Sequence, residues 1–132
     1  MPEGRILLVD DEAGILEVIG TRIRSWGYEL LEARNGKEAI EAVRAKKADL
    51  VVLDYMLPDM DGVAVLKEIR NINKKIPVIM LTAYPSPTVL HETEKLGISA
   101  YLVKLSAASD MQALLKTAVD MLIRKLNEGK KK

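Results

Sequence analysis

Short apolar runs alternate along the chain with longer segments in which apolar residues recur every three or four positions. Uninterrupted runs rich in Val, Leu and Ile are typical of strands buried on both faces of a sheet. The recurring spacing is typical of helices that bury one face. Strands are therefore predicted at residues 5–9, 28–33, 50–54, 76–81 and 98–103.

A helix is predicted after every strand. Asn35, with Glu38 three positions later, has the pattern of a capping box, and Ser86 before Pro87 has the pattern of a helix start. Gly27 stands where a helix commonly ends. The predicted helices are 13–26, 36–46, one that follows Gly62 and ends near residues 71–73, one that follows Ser86 and runs to about residue 96, and a last one that begins after Ser106 or Ser109.

Strict alternation of strands and helices predicts the α/β class, as a doubly wound (βα)5 domain. Its parallel sheet would carry helices on both faces, joined by right-handed crossovers. The domain is expected to span residues 1–128. Residues 129–132 are polar and basic, and we expect them to be a disordered tail.

The composition excludes several kinds of site. The net charge is +1, which gives no reason to expect direct contact with nucleic acid or a membrane surface. There are no cysteines, and the one histidine, His91, cannot build a multi-histidine metal site. No apolar run approaches the ~20 residues that cross a bilayer, and the N-terminus lacks a secretory pattern. A soluble cytoplasmic protein is expected.

Reactive side chains stand where the predicted strands end. Asp10 and Asp11 follow the first strand, Asp54 ends the third, Thr82 follows the fourth and Lys104 follows the fifth. Ligands of parallel α/β sheets bind outside this edge. Crowded carboxylates repel one another unless a cation joins them, and oxygen ligands favour Mg²⁺. A magnesium ion beside a nucleophilic carboxylate, a lysine and a hydroxyl suits phosphoryl transfer.

Four segments, taken in this order and spacing, resemble the response regulator receiver domain of two-component signalling. The resemblance extends from Arg5 to about Leu126. It implies a flavodoxin-like sheet with strand order 2-1-3-4-5. The segments are LLVDDE at 7–12, LDYMLPDMDG at 53–62, LTA at 81–83 and YLVK at 101–104.

The resemblance assigns the acidic residues. Asp54 resembles the phosphoacceptor of the family. Asp10 and Asp11 resemble the pair that holds Mg²⁺, directly or through water. Asp54 and the backbone carbonyl of Met56 would complete the protein's share of the metal ligands.

The resemblance also assigns a switch. Lys104 would pair with one phosphoryl oxygen, and the Thr82 hydroxyl would move to another. Tyr101 resembles the aromatic residue that turns inward once the hydroxyl has moved. The output face of the family corresponds to residues 86–126, which hold the fourth helix, fifth strand and fifth helix.

The implied function is a signalling switch rather than an enzyme, catalysing only its own phosphorylation and dephosphorylation. The phosphoryl group would come from a sensor histidine kinase or a phosphotransfer protein. A downstream protein target or an output domain would respond. A phosphorylation-dependent dimer is left open by the sequence.

Two departures from the family pattern alter these expectations. Leu105 follows Lys104 where the family usually has a cis proline, and a cis bond to a residue other than proline costs about 3–4 kcal/mol. We therefore predict a trans bond at Leu105 and a different path for residues 106–110. The prolines in residues 84–87 would stiffen the loop that moves with Thr82.

Met56 and Tyr84 would hinder an attacking water, which predicts a slowly hydrolysed aspartyl phosphate.

Other functions fit the residues less well. A phosphatase of the haloacid dehalogenase type needs a second aspartate two residues after the first, where this chain has Met56. A flavin carrier needs a phosphate-binding loop after the first strand, where residues 10–12 would repel phosphate. A receiver-like interaction module that works without phosphorylation remains the alternative, because of Leu105.

Overall fold

A computed structural model describes residues 4–104 and 108–130, with side chains for 4–104 and 111–129. Strands and helices alternate five times within these ranges. The strands are β1 (Arg5–Val9), β2 (Glu29–Ala33), β3 (Leu50–Asp54), β4 (Val78–Thr82) and β5 (Ala100–Val103). The helices are α1 (Ala13–Ser25), α2 (Gly36–Arg44), α3 (Gly62–Ile72), α4 (Pro87–Lys95) and α5 (Ala108–Lys130).

The strands form one parallel sheet in the order β2-β1-β3-β4-β5. The (βα)5 fold and its flavodoxin-like order 2-1-3-4-5 are thereby confirmed. Val9 pairs with Leu53, and Thr82 pairs with Val103. The carboxyl ends of β1, β3, β4 and β5 therefore finish within a few residues of one level.

Side-chain alternation along each buried strand divides the core in two. Leu8 and Val52 point to one face of the sheet, where α1 and α5 pack against them. Leu7 and Val51 point to the other face, which α2 and α3 cover, with residues of α4 at its margin. Burial on both faces explains why the strands are continuous apolar runs rather than alternating ones.

The predicted helix starts are present. The side chain of Asn35 accepts a hydrogen bond from the Glu38 N–H at 2.8 Å. Ser86 accepts from the N–H of Val89 at the start of α4. Gly27 follows α1 with φ of 97°, in the left-handed region that glycine adopts without strain.

Where the element boundaries differ from the predicted ones, they differ by one or two residues. α2 ends at Arg44 rather than Lys46, because Lys46 takes a left-handed φ of 57° that no helix accommodates. β4 begins at Val78, after the proline that lacks an N–H. α5 continues through Gly129 and Lys130, two residues of the predicted tail. The Leu105 peptide bond and residues 131–132 lie outside the described residues.

Arg70 joins the end of α3 to the end of α4. Its guanidinium donates hydrogen bonds to the carbonyl oxygens of Leu96 at 2.7 Å and Gly97 at 3.1 Å. It also donates to the carbonyls of Asn73 and Ile76, in the turn before β4. Burial lowers the pKa of Arg70. One side chain thus ties together the end of α3, the turn before β4 and the end of α4, at the amino edge of the sheet.

Among the described residues, no helix combines the length and the hydropathy that a membrane span requires.

Gly62, the first residue of α3, lies against the end of β3. We expect Gly62→Ala to lower the free energy of unfolding by about 1–3 kcal/mol, as overpacking typically does. The added Cβ would lie 2.9 Å from the Cα of Tyr55 and 3.0 Å from the carbonyl oxygen of Asp54, and backbone atoms cannot swing aside. Urea denaturation measures the change.

Gly14, on the exposed side of α1, provides the control. Apart from its chain neighbours and the backbone of its own helix, no atom of the described residues lies within 4 Å of a Cβ added there. Gly14→Ala should raise the free energy of unfolding by up to about 1 kcal/mol, because alanine favours helices over glycine. Equal destabilisation by both substitutions would contradict the close approach at Gly62.

Candidate functional site

The register of the sheet brings the predicted site residues to one edge. Asp10 follows Val9, the partner of Leu53, so Asp10 and Asp54 stand at the same level on neighbouring strands. Thr82 lies one position further along β4, since Asp54 pairs with Leu81. Lys104 lies beyond Val103, the partner of Thr82, and its N–H donates to the Thr82 carbonyl at 2.7 Å.

Lys104 bridges the two buried carboxylates. Its Nζ lies 2.7 Å from Oδ2 of Asp10 and 3.1 Å from Oδ1 of Asp54. The side chains of Asp10, Asp54 and Lys104 are 1%, 7% and 11% exposed. The long lysine side chain therefore crosses in front of β4 to reach residues of β1 and β3.

The charges of these groups are unbalanced, because two carboxylates share one ammonium. Burial raises the pKa of Asp54 to about 6, and the charge of Asp10 adds to this, against opposition from Lys104 and the N–H of Met56. Burial alone would lower the pKa of Lys104, but the hydrogen bond to Asp10 and the charge of Asp54 outweigh burial and raise it.

A compact acidic group stands at the end of β1. Oxygen atoms of Asp10, Asp11 and Glu12 lie within 4.8 Å of one another, a spacing that suits a metal ion. Oδ1 of Asp10 accepts from the Glu12 N–H at 3.0 Å, which folds the turn so that these carboxylates converge. The prediction from sequence did not include Glu12. Its position directly after the two aspartates was the available signal.

The loop after β3 places Met56 at the mouth of the site. Its N–H donates to Asp54, and its side chain is exposed. Met56 and Asp61 form an antiparallel bridge, and the Gly62 N–H donates to the Tyr55 carbonyl at 2.6 Å. The loop is therefore a closed turn, which fixes the backbone beside Asp54.

The two residues predicted to switch lie on neighbouring strands, β4 and β5, but their side chains have different surroundings. Thr82 is buried, and its hydroxyl accepts a hydrogen bond from the Tyr84 N–H at 3.1 Å. Tyr101 is partly buried against the core on the α2–α4 face. Its hydroxyl accepts from the Ser86 N–H at 3.4 Å, so it contacts the start of α4.

A cleft of about 280 Å³ opens beside these groups. Met56 and Tyr84 stand at its rim, with 59% and 70% of their surfaces exposed. The lining residues are Asp11, Glu12, Asp54, Met56, Ala83, Tyr84 and Lys104. The cleft therefore presents carboxylates, an ammonium and two apolar rim residues to one small ligand.

A larger groove of about 530 Å³ lies at the other end of the molecule, between Tyr28 and α5. Asp120 in its wall accepts a hydrogen bond from the Tyr28 hydroxyl and forms an ion pair with Lys116. None of the predicted site residues lines it. The smaller cleft holds the reactive groups, and we identify it as the candidate site.

The two aspartates later in the loop after β3 serve helix starts. Asp61 accepts from the Ala64 N–H at 2.8 Å and caps α3. Asp59 contacts a different helix, since it accepts from the N–H groups of Gly36 and Lys37 at 2.8 and 3.0 Å. The hydrogen bond from Gly36 lowers the pKa of Asp59.

The family model of the response regulator receiver domain matches residues 6–116. The chain belongs to the response regulator receiver domain family. It is a receiver domain of two-component response regulators, a signalling switch rather than a typical enzyme.

Proteins similar to this receiver domain include longer regulators. The transcriptional regulatory protein ZraR of Escherichia coli (strain K12) is 40% identical over 114 residues, which are 86% of this chain and 26% of ZraR. The chain thus spans about a quarter of the length of the first curated relatives it matches.

Solved receiver domains share the fold. The receiver domain of Francisella response regulator 1452 has a TM-score of 0.82 and 31% identity, and the match covers 93% of this chain and 98% of that one. A CheY-like receiver domain protein from Methanospirillum hungatei JF-1 has a TM-score of 0.81 and 27% identity, covering 92% and 97%.

The raised pKa of Asp54 predicts a stabilising substitution. In protein treated with a chelator, Asp54→Asn should raise the free energy of unfolding at pH 7.5 by about 1–2 kcal/mol, allowing for solvent screening. The folded state then no longer holds this buried carboxylate ionised beside Asp10. Because the pKa is higher in the folded than in the unfolded protein, the advantage should shrink as pH falls through 6 towards 4.

Urea denaturation of both proteins at pH 7.5 and pH 4.5 measures this difference. Asp120→Asn is the control of opposite sign. Burial would raise the pKa of Asp120, but hydrogen bonds from Lys116 and Tyr28 outweigh it and lower the pKa. That variant should lose stability at neutral pH. A destabilised Asp54→Asn at pH 7.5 would refute the interpretation.

Proposed function

We propose that this receiver domain accepts a phosphoryl group on Asp54 in a Mg²⁺-dependent reaction. The main support is the position of the Lys104 ammonium, which lies between the buried carboxylates of Asp10 and Asp54 at the mouth of a small cleft. A carboxylate nucleophile with a fixed cation beside it is what phosphoryl transfer to protein requires.

Receiver domains bind Mg²⁺ at an acidic pocket, and the donor groups here fit that ion. The carboxylates of Asp10, Asp11 and Glu12 converge, and every side-chain donor is a hard oxygen atom. Asp10, Asp11, Asp54 and the Met56 carbonyl are the ligands we propose, with Glu12 close enough to act through water. A bound Mg²⁺ would neutralise charge that develops on the phosphoryl oxygens.

In the proposed step, an oxygen of Asp54 attacks the phosphorus of the donor. The new O–P bond forms as the bond from phosphorus to the donor's histidine nitrogen breaks, and the electron pair stays on that nitrogen. The Lys104 ammonium then pairs with a phosphoryl oxygen instead of the Asp54 carboxylate. This exchange removes one of the hydrogen-bonding partners that now hold Lys104.

The change would reach α4 through two side chains. The Thr82 hydroxyl, now accepting from the Tyr84 N–H, would donate to another phosphoryl oxygen. Movement of Thr82 would shift residues 83–86, and Tyr101 contacts that segment through the Ser86 N–H. Tyr101 would then repack inward and alter the surface formed by α4, β5 and α5.

Proteins are the partners that we propose on both sides of the reaction. A sensor histidine kinase or a phosphotransfer protein would supply the phosphoryl group. A downstream protein target or an output domain would read the α4–β5–α5 surface. Exposed apolar side chains on α4 and α5, Leu90, Leu114 and Met121, support a protein contact there.

Acetyl phosphate with Mg²⁺ tests the acceptor. The wild-type protein should gain the mass of one phosphoryl group, and hydroxylamine should remove it, as expected for an acyl phosphate. Asp54→Asn should show no gain, and chelation of Mg²⁺ should prevent the gain in the wild type. Intact-mass spectrometry measures each result.

Asp120→Asn is the matched control, because it removes a carboxylate at the opposite edge of the sheet. It should be phosphorylated like the wild type. Absence of phosphorylation in the wild type would instead favour the receiver-like module that binds partners without phosphate.

The rim of the cleft predicts the lifetime of the phosphorylated state. Water must approach phosphorus past Met56 and Tyr84, so the aspartyl phosphate should hydrolyse slowly, over minutes or longer. Tyr84→Ala should shorten its lifetime, because the substitution opens one side of the cleft. Loss of phosphate from purified protein, followed by mass spectrometry after the donor is removed, measures both. Complete loss within seconds in the wild type would contradict this.

A further inference from the structure

The first turn of α2 depends on a residue from another loop. The side chain of Asn35 accepts a hydrogen bond from the Glu38 N–H. Asp59 accepts from the two backbone N–H groups before Glu38: Oδ1 accepts from Gly36 at 2.8 Å, and Oδ2 accepts from Lys37 at 3.0 Å. Both oxygens of one carboxylate are therefore engaged by backbone N–H groups at the positive end of a helix.

Asp59 belongs to the loop that completes the phosphorylation site. That loop carries Met56, whose N–H donates to Asp54. It is closed by the Met56–Asp61 bridge and by the hydrogen bond from Gly62 to Tyr55. These contacts set the internal shape of the loop, and the hydrogen bonds to Asp59 add a tie between the loop and α2.

A second contact joins the same two segments. A Cβ added to Gly36 would lie 2.4 Å from Cγ and 2.5 Å from the sulfur of Met60, so the Met60 side chain packs directly on the start of α2. Met60 and Asp59 are adjacent in the chain. The loop therefore contacts the helix start through one apolar and one charged side chain.

We infer that Asp59 is a positioning residue for the metal site, acting through the backbone of Met56. Its carboxylate does not enter the cleft and takes no part in the reaction. By tying the loop to the start of α2, Asp59 would hold the Met56 carbonyl where it can serve as a ligand for a metal ion. This inference rests on the proposed Mg²⁺ site and names a residue outside it.

Outer contacts of this kind orient metal ligands and change affinity substantially. Loss of such a partner typically weakens metal binding about 10–100-fold. A backbone carbonyl has no side-chain rotamer to fix its direction, so its direction depends entirely on the path of the loop. Asp59 is the charged side chain that ties this path to α2.

Asp59→Ala is the variant that tests the inference, with two measurements. Titration with Mg²⁺ alone should give a dissociation constant about tenfold or more above that of the wild type. Hydrogen exchange in metal-free protein should show faster exchange at the amides of Met56 and Gly62. The second measurement reports on the loop without any metal or phosphate.

Asn35→Ala provides the matched control, because it removes the other side-chain cap of α2 and leaves the loop untouched. Each substitution removes a cap of α2, so both should lower the free energy of unfolding. Asn35→Ala should leave the Mg²⁺ affinity and the exchange of the Met56 and Gly62 amides unchanged. Asp59→Asn keeps one acceptor oxygen and should restore part of the Mg²⁺ affinity.

The outcomes separate this inference from the proposed function. If the wild type binds Mg²⁺ and Asp59→Ala binds it equally well, Asp59 only caps α2 and the inference is wrong, while the metal site stands. The inference is also wrong if Asn35→Ala weakens Mg²⁺ binding as much as Asp59→Ala. If the wild type itself fails to bind Mg²⁺, both the proposed metal site and this role of Asp59 are overturned.

Discussion

Two buried carboxylates sharing one ammonium group form the interaction on which the site depends. Asp10 directly follows β1, Asp54 ends β3 and Lys104 directly follows β5, and β4 lies between β3 and β5. The three charges meet only when four strands have their final order and register. An unpaired charge left in this position would be strongly destabilising. The ion pairs therefore make the integrity of the sheet a condition for the site, because the groups that carry the chemistry are also the groups that must be neutralised together.

The same arrangement leaves the site with more negative than positive charge. A third carboxylate at Asp11 and a fourth at Glu12 stand next to a pair that already exceeds its single cation. Surplus negative charge favours binding of a cation, and the surrounding apolar core strengthens that preference because it excludes water. The rest of the domain, with two well-packed cores, supplies the stability that this edge of the sheet lacks. Functional sites commonly depart from the most stable arrangement in this way.

Most of the fold and the centre of the site could be predicted from sequence, because they follow from period and position. Runs such as residues 50–54 indicate buried parallel strands, and such strands end at one edge, so Asp54 and Lys104 could be brought together without coordinates. The contact between Asp59 and α2 could not be predicted. It joins residues 22 and 23 positions apart through a loop whose path no periodic pattern describes. Glu12 was missed for a similar reason, since the turn that directs it depends on a hydrogen bond to Asp10.

Arg70 gives the two ends of α4 unequal freedom. Charged hydrogen bonds at 2.7 and 3.1 Å hold the carbonyls of Leu96 and Gly97, just after the helix. The opposite end is contacted by the Tyr101 hydroxyl at 3.4 Å, through the neutral N–H of Ser86. A helix held more strongly at its C-terminal end than at its N-terminal end should tilt about its C-terminal end when it is displaced. Displacement along α4 should therefore increase from Leu96, next to Arg70, towards Pro87, which is the end nearer to the phosphoacceptor.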